Sequence, residues 1–216
     1  MDIITVENVS KHFKKHCVLK KTTIAFEKGK IHGIIGRNGS GKTIFLKLIS
    51  GLLCPTSGTI TVNGKVLGND ADFAPNTGII IETPGFLSYK SGYANLRELA
   101  SIKGIIGKDE IIQAIQDVGL DPDDKKPVGK YSLGMRQRLG IAQAIMERPD
   151  LLILDEPMNS LDKQGVQHMR ELLMQLREQG TTILLASHIA MDVELLCDTV
   201  CEIDEGVITK VKGWDF

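Results

Sequence analysis

The sequence contains no long hydrophobic run, which argues against a membrane-spanning chain. A helix that crosses a bilayer needs roughly 20 consecutive apolar residues, and no stretch of the 216 residues approaches that length. The first residues, Met1 to Ile4, also lack the charged and then apolar layout of a signal peptide. We therefore expect a soluble chain that stays in the cytoplasm.

The chain also has no excess of either charge and few cysteines. Its 26 Lys and Arg residues are balanced by 27 Asp and Glu residues, so the basic face that binds nucleic acid is not evident and no nucleic-acid partner is expected. The four cysteines, Cys17, Cys54, Cys197 and Cys201, show no C-x-x-C spacing. This pattern indicates free thiols in a reducing compartment rather than a metal site.

A glycine-rich loop between an apolar strand and a helix is the strongest motif that is present. It follows the apolar run 31–35 and precedes the helical segment 44–49. The motif is Gly36-Arg37-Asn38-Gly39-Ser40-Gly41-Lys42-Thr43. Its glycine spacing and its final Lys-Thr pair are those of a P-loop, which binds the phosphates of a nucleotide. An ordinary glycine turn is the alternative, and the strand and helix on either side argue against it.

The chemistry of this loop follows from its residues. Glycines allow successive backbone N–H groups to point at phosphate oxygens, and the new helix adds the positive end of its dipole. Lys42 adds a positive charge, and the Thr43 hydroxyl can ligate Mg²⁺. The predicted ligands are therefore a nucleoside triphosphate and Mg²⁺.

The order of the predicted elements indicates an α/β fold. The N-terminal third is predicted to be partly antiparallel, with an edge strand over 2–10, a strand over 22–26 and a hairpin over 59–67 whose turn is an Asn-Gly pair. Residues 78–81 form a short apolar run, which is typical of a strand buried on both faces.

Helices interrupt this strand-rich pattern in the middle of the chain, over 94–103, 109–118 and 132–146. Strands and helices then alternate from the apolar run 151–154 to the last strand at 206–211, so we expect parallel strands joined by helices. A chain of 216 residues can hold one such domain with an inserted helical subdomain.

Two acidic residues follow one of the buried strands. Asp155 and Glu156 come directly after the apolar run 151–154. Ligands of α/β sheets bind at the carboxyl ends of the strands, so both carboxylates should face the P-loop. Asp155 is placed to hold Mg²⁺, and Glu156 is placed to take a proton from the attacking water. The alternative is that these two acidic residues only cap the helix that follows and have no role in a site.

A histidine and an aromatic residue complete the candidate site. His188 follows the apolar strand 181–186, so it should reach the same edge, where it could hold the γ-phosphate and position water. Phe13 precedes the P-loop by roughly two dozen residues, and its ring could stack on a base. A structural histidine and an aromatic packed in the core are the alternatives.

A second motif resembles the signature of the ATP-binding cassette (ABC) ATPases, which runs L-S-G-G-Q before a helix. In this sequence it is Tyr131-Ser132-Leu133-Gly134-Met135-Arg136-Gln137-Arg138. Ser132, Gly134 and the Arg-Gln-Arg continuation match the family, whereas Leu133 replaces a glycine and loses its conformational freedom. The P-loop, the acidic strand end, the D-loop position 159–162 and His188 follow in the family's order, so the resemblance covers essentially the whole chain.

Glu82 stands where the family usually has a glutamine that ligates Mg²⁺ and meets the membrane partner. A carboxylate is a good oxygen ligand for Mg²⁺, but Glu82 could instead point away and meet the permease or a nearby Lys or Arg. The run 80–87, together with 131–135, resembles the bacitracin-export and lantibiotic-immunity branch of ABC exporters. Phe13 matches the adenine-stacking aromatic of the family.

The resemblance implies a single ABC ATPase domain over 1–216. Residues 1–83 and 149–216 would form the P-loop NTPase (RecA-like) core with its antiparallel β part. Residues 84–148 would form the helical subdomain that carries the signature.

The resemblance also implies a reaction and partners. Lys42, Glu156 and His188 would hydrolyse ATP with Mg²⁺ as cofactor. A second copy would join head to tail, so that each ATP lies between the P-loop of one chain and Ser132 and Gly134 of the other, near the D-loop residue Asp162.

A separate transmembrane permease would hold the pair at the inner face of the cell membrane and export a peptide antibiotic or another small amphiphile. A soluble ABC ATPase that acts on an assembly scaffold is the alternative. The permease would make the substrate contacts, so the transported substrate cannot be read from this chain.

Overall fold

The computed structural model describes residues 1–82 and 84–211, which form two sheets and the helices packed on them. Thr83, the predicted end of the first core segment, and the C-terminal residues 212–216 lie outside the described residues.

In the described part of the chain the larger sheet has six strands, five of them parallel. They are β3 (Ile31–Ile35), β6 (Thr77–Ile80), β7 (Leu151–Asp155), β8 (Thr182–Ala186), β9 (Thr199–Asp204) and β10 (Val207–Lys210). Their order across the sheet is β10-β9-β3-β8-β7-β6. β10 pairs antiparallel with β9, and the other pairs are parallel.

The smaller sheet is antiparallel. Its strands are β1 (Asp2–Phe13), β2 (His16–Glu27), β4 (Ser57–Val62) and β5 (Lys65–Val66). Their order is β2-β1-β4-β5. The predicted hairpin between β4 and β5 is confirmed, because Asn63 and Gly64 both have the positive φ angles, 49° and 72°, that a tight primed turn requires.

Several of the helices begin after a residue whose side chain caps them. They are α1 (Lys42–Ser50), α2 (Gly92–Lys103), α3 (Lys108–Asp117), α4 (Leu133–Ile145), α5 (Lys163–Glu178) and α6 (Ala190–Leu196). Ser91, Ser132 and Asp162 precede α2, α4 and α5, and each side chain accepts a backbone N–H of the first turn. Between β6 and β7 lie α2, α3 and α4, within the span predicted for the helical subdomain.

Both faces of the larger sheet are covered, and the alternation of side chains divides the core into two parts. Along β7, Leu151 and Ile153 pack with α1 and the smaller sheet, whereas Leu152 and Leu154 pack with the helices on the other face. Burying a side chain of this size contributes about 1.5–3 kcal/mol. The middle of β7 is therefore apolar, and its acidic side chain, Asp155, lies at the carboxyl end of the strand.

The structure corrects two of the strand predictions. The strand predicted at the edge over 2–10 is central, because β1 pairs with β2 on one side and β4 on the other. The predicted strand over 78–81 was expected to be buried on both faces, but β6 is the last strand of the sheet and Ile79 is only half-buried.

The direction of the last strand also differs from the prediction. The strand was expected to be parallel to its neighbour, but β10 turns back on β9 through Glu205 and Gly206, which both have positive φ angles. A connection this short can join only antiparallel neighbours, because a parallel crossover needs a dozen or more residues.

The four cysteines are free thiols in two environments. Cys17 and Cys54 are exposed, and Cys197 and Cys201 are buried. Burial raises the pKa of both Cys197 and Cys201 to about 12, so these two thiols stay protonated and unreactive at neutral pH.

The helical part rests on the sheet through one very close contact. A Cβ atom at Gly78 of β6 would lie 2.0 Å from the carbonyl oxygen of Ala144 in α4. Only glycine allows α4 to approach the strand this closely, since that distance is far shorter than any van der Waals contact.

We predict that Gly78→Ala lowers the free energy of unfolding by about 2 kcal/mol or more, because α4 must move away from β6. For a chain of this size the midpoint of thermal unfolding should fall by about 4–8 °C, which calorimetry measures. Gly85→Ala is the matched control, because a Cβ atom at Gly85 meets no atom within 4 Å. Equal midpoints for the two variants would contradict the close contact.

Candidate functional site

The parallel strands bring the predicted site segments to one edge of the larger sheet. Asp155 at the end of β7 is level with Ala186 of β8, which is level with Ile34 of β3. The P-loop follows β3, Glu156 follows β7 and His188 follows β8. The functional groups therefore meet because three strands end at the same height.

The P-loop keeps its lysine almost buried. Lys42 is 6% exposed, and its Nζ donates to the carbonyl oxygens of Gly36 at 2.7 Å and Arg37 at 3.3 Å. An ammonium group has three N–H donors, so one donor remains when both carbonyls are bound. A buried cation held by carbonyls is suited to bind phosphate, whose charge would balance it.

The shape of this loop depends on glycine at two positions. Gly36 has a φ of 150°, and a Cβ atom there would lie 2.3 Å from the carbonyl oxygen of Ile203 in β9. Gly41 precedes α1 with a φ of 111°. These conformations are rarely open to other residues, and they allow the chain to turn sharply from β3 into the helix.

Thr43 and Asp155 form the part of the site that could hold a cation. The Thr43 hydroxyl donates a hydrogen bond of 2.6 Å to Asp155 Oδ2. Among residues 1–82 and 84–211 no cluster of three or more His, Cys, Asp or Glu side chains could hold a metal ion. Mg²⁺ does not need one, since it usually binds through one or two carboxylates together with phosphate oxygens and water. These two oxygen donors therefore fit Mg²⁺ bound with a nucleotide.

Glu156 is held in a strained backbone conformation beside His188. Its φ is 51°, and its N–H donates to the carbonyl oxygen of Ala186 at 2.9 Å. Its Oε2 lies 2.7 Å from His188 Nδ1 and 3.4 Å from the backbone nitrogen of His188. An ionised carboxylate only accepts hydrogen bonds, so Nδ1 is the nitrogen that donates. His188 therefore orients Glu156.

Glu82 pairs with a lysine. Its Oε1 lies 2.6 Å from Lys47 Nζ, and its side chain is 66% exposed. Glu82 has a positive φ of 64°. A pairing with a nearby Lys or Arg was the alternative to a magnesium ligand, and the structure shows that pairing.

A cavity of about 470 Å³ opens where these residues meet. Eight of the predicted site residues line it, namely Asn38, Gly39, Gly41, Lys42, Thr43, Glu82, Asp155 and Glu156. Five residues outside the predicted site set also line it, namely Val18, Ile44, Gln137, Asn159 and Ser160. The D-loop and signature motifs contain Asn159, Ser160 and Gln137 and so could have indicated them, but no pattern in the sequence marks Val18 or Ile44.

The signature residues line a different cavity, of about 760 Å³. Its wall includes Ser132, Gly134 and Asp162, and Ser160 lines both cavities. Ser132 Oγ accepts the Met135 N–H at 3.1 Å, which leaves its own O–H free to donate.

Leu133, which replaces a family glycine, is the first residue of α4 and does not need glycine's freedom. The residue is 66% exposed.

Four predicted site residues, Phe13, Gly36, Ser40 and His188, line neither of these two cavities. His188 contacts Glu156 instead. The Ser40 N–H donates to the Arg37 carbonyl oxygen at 3.1 Å, and Ser40 Oγ is buried without a partner among the described residues. Gly36 contributes its carbonyl to Lys42 instead. Phe13 is exposed, with Lys11 Nζ 5.0 Å from the centre of its ring, so base stacking by Phe13 stays a prediction.

The sequence and the fold of this chain are similar to those of known ATP-binding proteins of ABC transporters. The sequence model of the ABC transporter family matches residues 19–159. The ABC transporter ATP-binding protein YybJ of Bacillus subtilis is 44% identical over 204 residues, 94% of each chain. The bacitracin transport ATP-binding protein BcrA of Enterococcus faecalis is 43% identical, over 96% of this chain and 68% of its own. The lantibiotic transport ATP-binding protein SrtF of Streptococcus pyogenes is 38% identical, over 99% and 92%.

Two solved structures share the fold. The ATP-binding cassette MJ0796, solved as a dimer bound to ADP and phosphate, has a TM-score of 0.86 and 22% identity and covers 97% of this chain and 99% of its own. An ATP-binding subunit of an ABC transporter has the same TM-score with 26% identity, over 97% and 90%. The relatives include proteins of the bacitracin and lantibiotic branch that the sequence resembles. The chain therefore belongs to the ABC transporter ATP-binding protein family.

Proposed function

We propose that this ABC ATPase subunit hydrolyses ATP with Mg²⁺ at the cavity beside the P-loop. The observation that carries the proposal is the 2.6 Å hydrogen bond between Thr43 and Asp155. It supports the proposal because these two oxygen atoms could ligate Mg²⁺ and lie in the same cavity wall as Lys42 and Glu156. Bound Mg²⁺ would neutralise charge on the phosphate oxygens.

In this proposal Glu156 is the general base. The contact with His188 orients its carboxylate, and the pairing of its N–H with Ala186 fixes the backbone that carries it. Lys42 and the N-terminus of α1 hold the phosphates, so the attacking water lies between Glu156 and the terminal phosphorus.

The active form would be a head-to-tail pair of chains. In one chain the P-loop and Ser132 line different cavities, so Ser132 can complete a site only in a second copy. A two-fold pair makes two such sites, and the positive end of α4 would then face the γ-phosphate of the partner. The dimeric cassette MJ0796 supports this arrangement by its shared fold.

The pair would drive a separate membrane permease that exports a peptide antibiotic or a similar amphiphile. Among the described residues no helix is both long and apolar enough to cross a membrane. The relatives named for bacitracin and lantibiotic transport support the cargo and the branch. The subunit would then lie in the cytoplasm, against the inner face of the membrane.

Removing the carboxylate of Glu156 tests the proposed reaction. We expect Glu156→Gln to bind ATP but to turn over at least about 100-fold more slowly, because general-base catalysis contributes about 10²- to 10⁴-fold. Phosphate release under saturating Mg²⁺ and ATP measures this, and Glu178→Gln on the exposed end of α5 is the control. Unchanged turnover in Glu156→Gln would remove Glu156 from the role of base.

Glu156→Gln should also accumulate as a dimer in the presence of ATP, since slow hydrolysis leaves ATP in the proposed shared sites. Analytical ultracentrifugation should give the mass of two chains with ATP and of one chain without it. The same mass in both conditions, at saturating nucleotide, would count against a shared site.

The role of Glu82 can be separated from its ion pair with Lys47. If its carboxylate ligates Mg²⁺, Glu82→Ala should raise the Mg²⁺ concentration for half-maximal activity by about tenfold or more. Glu82→Gln keeps an oxygen and should retain much of the activity. Lys47→Ala is the control, because it breaks the ion pair and leaves the carboxylate free. An unaltered Mg²⁺ titration in Glu82→Ala would assign Glu82 to Lys47 or the permease instead.

Copurification distinguishes the transporter from the soluble ABC ATPase that acts on an assembly scaffold. We expect the tagged chain to bring down, from detergent-solubilised membranes of its own source, a protein with several long apolar helices. The soluble fraction of the same cells is the control. Recovery of soluble proteins alone, from both fractions, would favour the scaffold.

A further inference from the structure

His188 lies in a short loop, residues 187–189, called the histidine loop here. Before His188, Ser187 is 1% exposed, and its N–H donates to the carbonyl oxygen of Ile34 in β3 at 3.3 Å. After His188, the Ile189 N–H donates to Ser187 Oγ at 3.1 Å, and α6 begins at the next residue. The larger sheet therefore fixes one end of the histidine loop, and the position of α6 fixes the other.

The position of α6 depends on contacts with the rest of the fold. The helix has seven residues, which make about two turns, and an isolated helix this short is unstable in water. Ile189, the residue before it, gives no side-chain cap. Val193, Leu196 and Cys197 pack into the core beside the sheet. These apolar contacts hold α6 from its middle onward, so its first turn, next to the histidine loop, needs a further contact.

A buried ion pair makes that contact. Asp192 in the first turn of α6 is 0% exposed, and its Oδ1 accepts hydrogen bonds from Arg170 Nε at 2.9 Å and Nη2 at 2.5 Å. Arg170 lies on α5, and its side chain is 15% exposed. Two donors on one rigid guanidinium fix the direction of the contact as well as its length. The Asp192 N–H donates to the Ile189 carbonyl oxygen at 3.0 Å, so the ion pair reaches the histidine loop.

The other carboxylate oxygen of Asp192 shows that this ion pair is not the most stable way to fill the space. Among residues 1–82 and 84–211, Asp192 Oδ2 is buried and has no hydrogen-bond partner. Burying a carboxylate is unfavourable unless its oxygens are paired, and apolar residues of similar volume are often as stable as a buried ion pair or more so. Stability alone therefore does not explain an acid at this position, whereas a directional contact does.

We propose, resting on the ATPase function proposed above, that Arg170 and Asp192 are positioning residues for hydrolysis. Arg170 holds the first turn of α6, and that turn holds the histidine loop, which keeps His188 Nδ1 2.7 Å from Glu156 Oε2. The His188 side chain is 55% exposed, so its position depends on the backbone that carries it. Neither Arg170 nor Asp192 lines the P-loop cavity, so both act through His188 rather than on the nucleotide.

Replacing both members of the ion pair tests this role. Arg170→Met/Asp192→Leu removes the hydrogen bonds and leaves no buried charge, so the chain should still fold. We expect ATP affinity, measured by displacement of a fluorescent ATP analogue, to stay within about twofold. Turnover should fall about 3- to 10-fold, the effect of one lost hydrogen bond between His188 and Glu156. Unchanged turnover, or a loss of ATP affinity in proportion to turnover, would overturn the proposal.

Arg177→Met is the matched control. Arg177 lies two turns further along α5, and its Nη1 is 3.2 Å from Oδ1 of Asp198, which follows the far end of α6. These two side chains are 29% and 31% exposed, so the variant leaves no fully buried charge. Its turnover should stay within about twofold of that of the unaltered chain. An equal loss in Arg177→Met and in the double variant would mean that any weakening between α5 and α6 slows hydrolysis, which contradicts a specific role for Asp192.

A combination with His188→Ala separates positioning from general stability. If the ion pair acts only through His188, adding Arg170→Met/Asp192→Leu to His188→Ala should lower the residual turnover by less than about twofold. A further loss as large as in the chain that keeps His188 would refute the proposal. Asp192→Asn is the conservative variant and should retain most of the turnover, because its amide oxygen can still accept both N–H groups of Arg170.

Hydrogen exchange without nucleotide separates this proposal from the ATPase proposal. The N–H groups of Asp192 and Val193 donate to the Ile189 carbonyl oxygen at 3.0 and 3.3 Å. Their protection from exchange, relative to intrinsic rates, should fall about 3- to 10-fold in Arg170→Met/Asp192→Leu and stay unchanged in Arg177→Met. Unchanged protection in the double variant would refute the link between the ion pair and the histidine loop. An inactive unaltered chain with the expected loss of protection would refute only the ATPase proposal.

Discussion

Parallel pairing of β3, β8 and β7 is the constraint on which the site depends. Both faces of these strands are buried, so their side chains are apolar from Leu151 to Leu154 and from Ile183 to Ala186. In β7 and β8 the polar groups of the site follow the carboxyl ends of the strands, and the register makes these ends level with one another. The P-loop, the acidic pair and His188 therefore meet at one edge, although roughly 150 residues of chain separate the first from the last.

The hydrogen bond between Thr43 and Asp155 joins the two halves of this edge. It connects the first turn of α1 to the end of β7, from which Glu156 and residues 157–162 lead to α5. Asp155, the proposed base Glu156 and residues 157–162 follow one another along the chain, and the signature helix α4 contacts this stretch through the hydrogen bond from Gln137 to Pro157. In the proposed pair one chain would contribute to two sites, and Ser160 lines both the P-loop cavity and the Ser132 cavity.

Most of the P-loop was predictable because its residues are local in sequence. A P-loop is a strand, a turn and a helix start, and its glycines and lysine act through the backbone that they themselves form. The strand ends at Asp155 and His188 were predictable for a similar reason, since a buried strand shows as an apolar run. The edge position predicted for β1 was wrong because strand order depends on partners far away in the chain, β2 and β4.

The sequence by itself determined the fold class, the nucleotide-binding loop and the family, since each depends on short patterns of apolar and polar residues. Only the tertiary structure decided which side chains contact across the fold. The partner of Glu82 is Lys47, 35 residues earlier, and the partner of Gln137 is Pro157, 20 residues later. Neither pair belongs to a periodic pattern. A hydrogen bond depends on distances of a few tenths of an ångström, which are set by the packing of helices on the sheet.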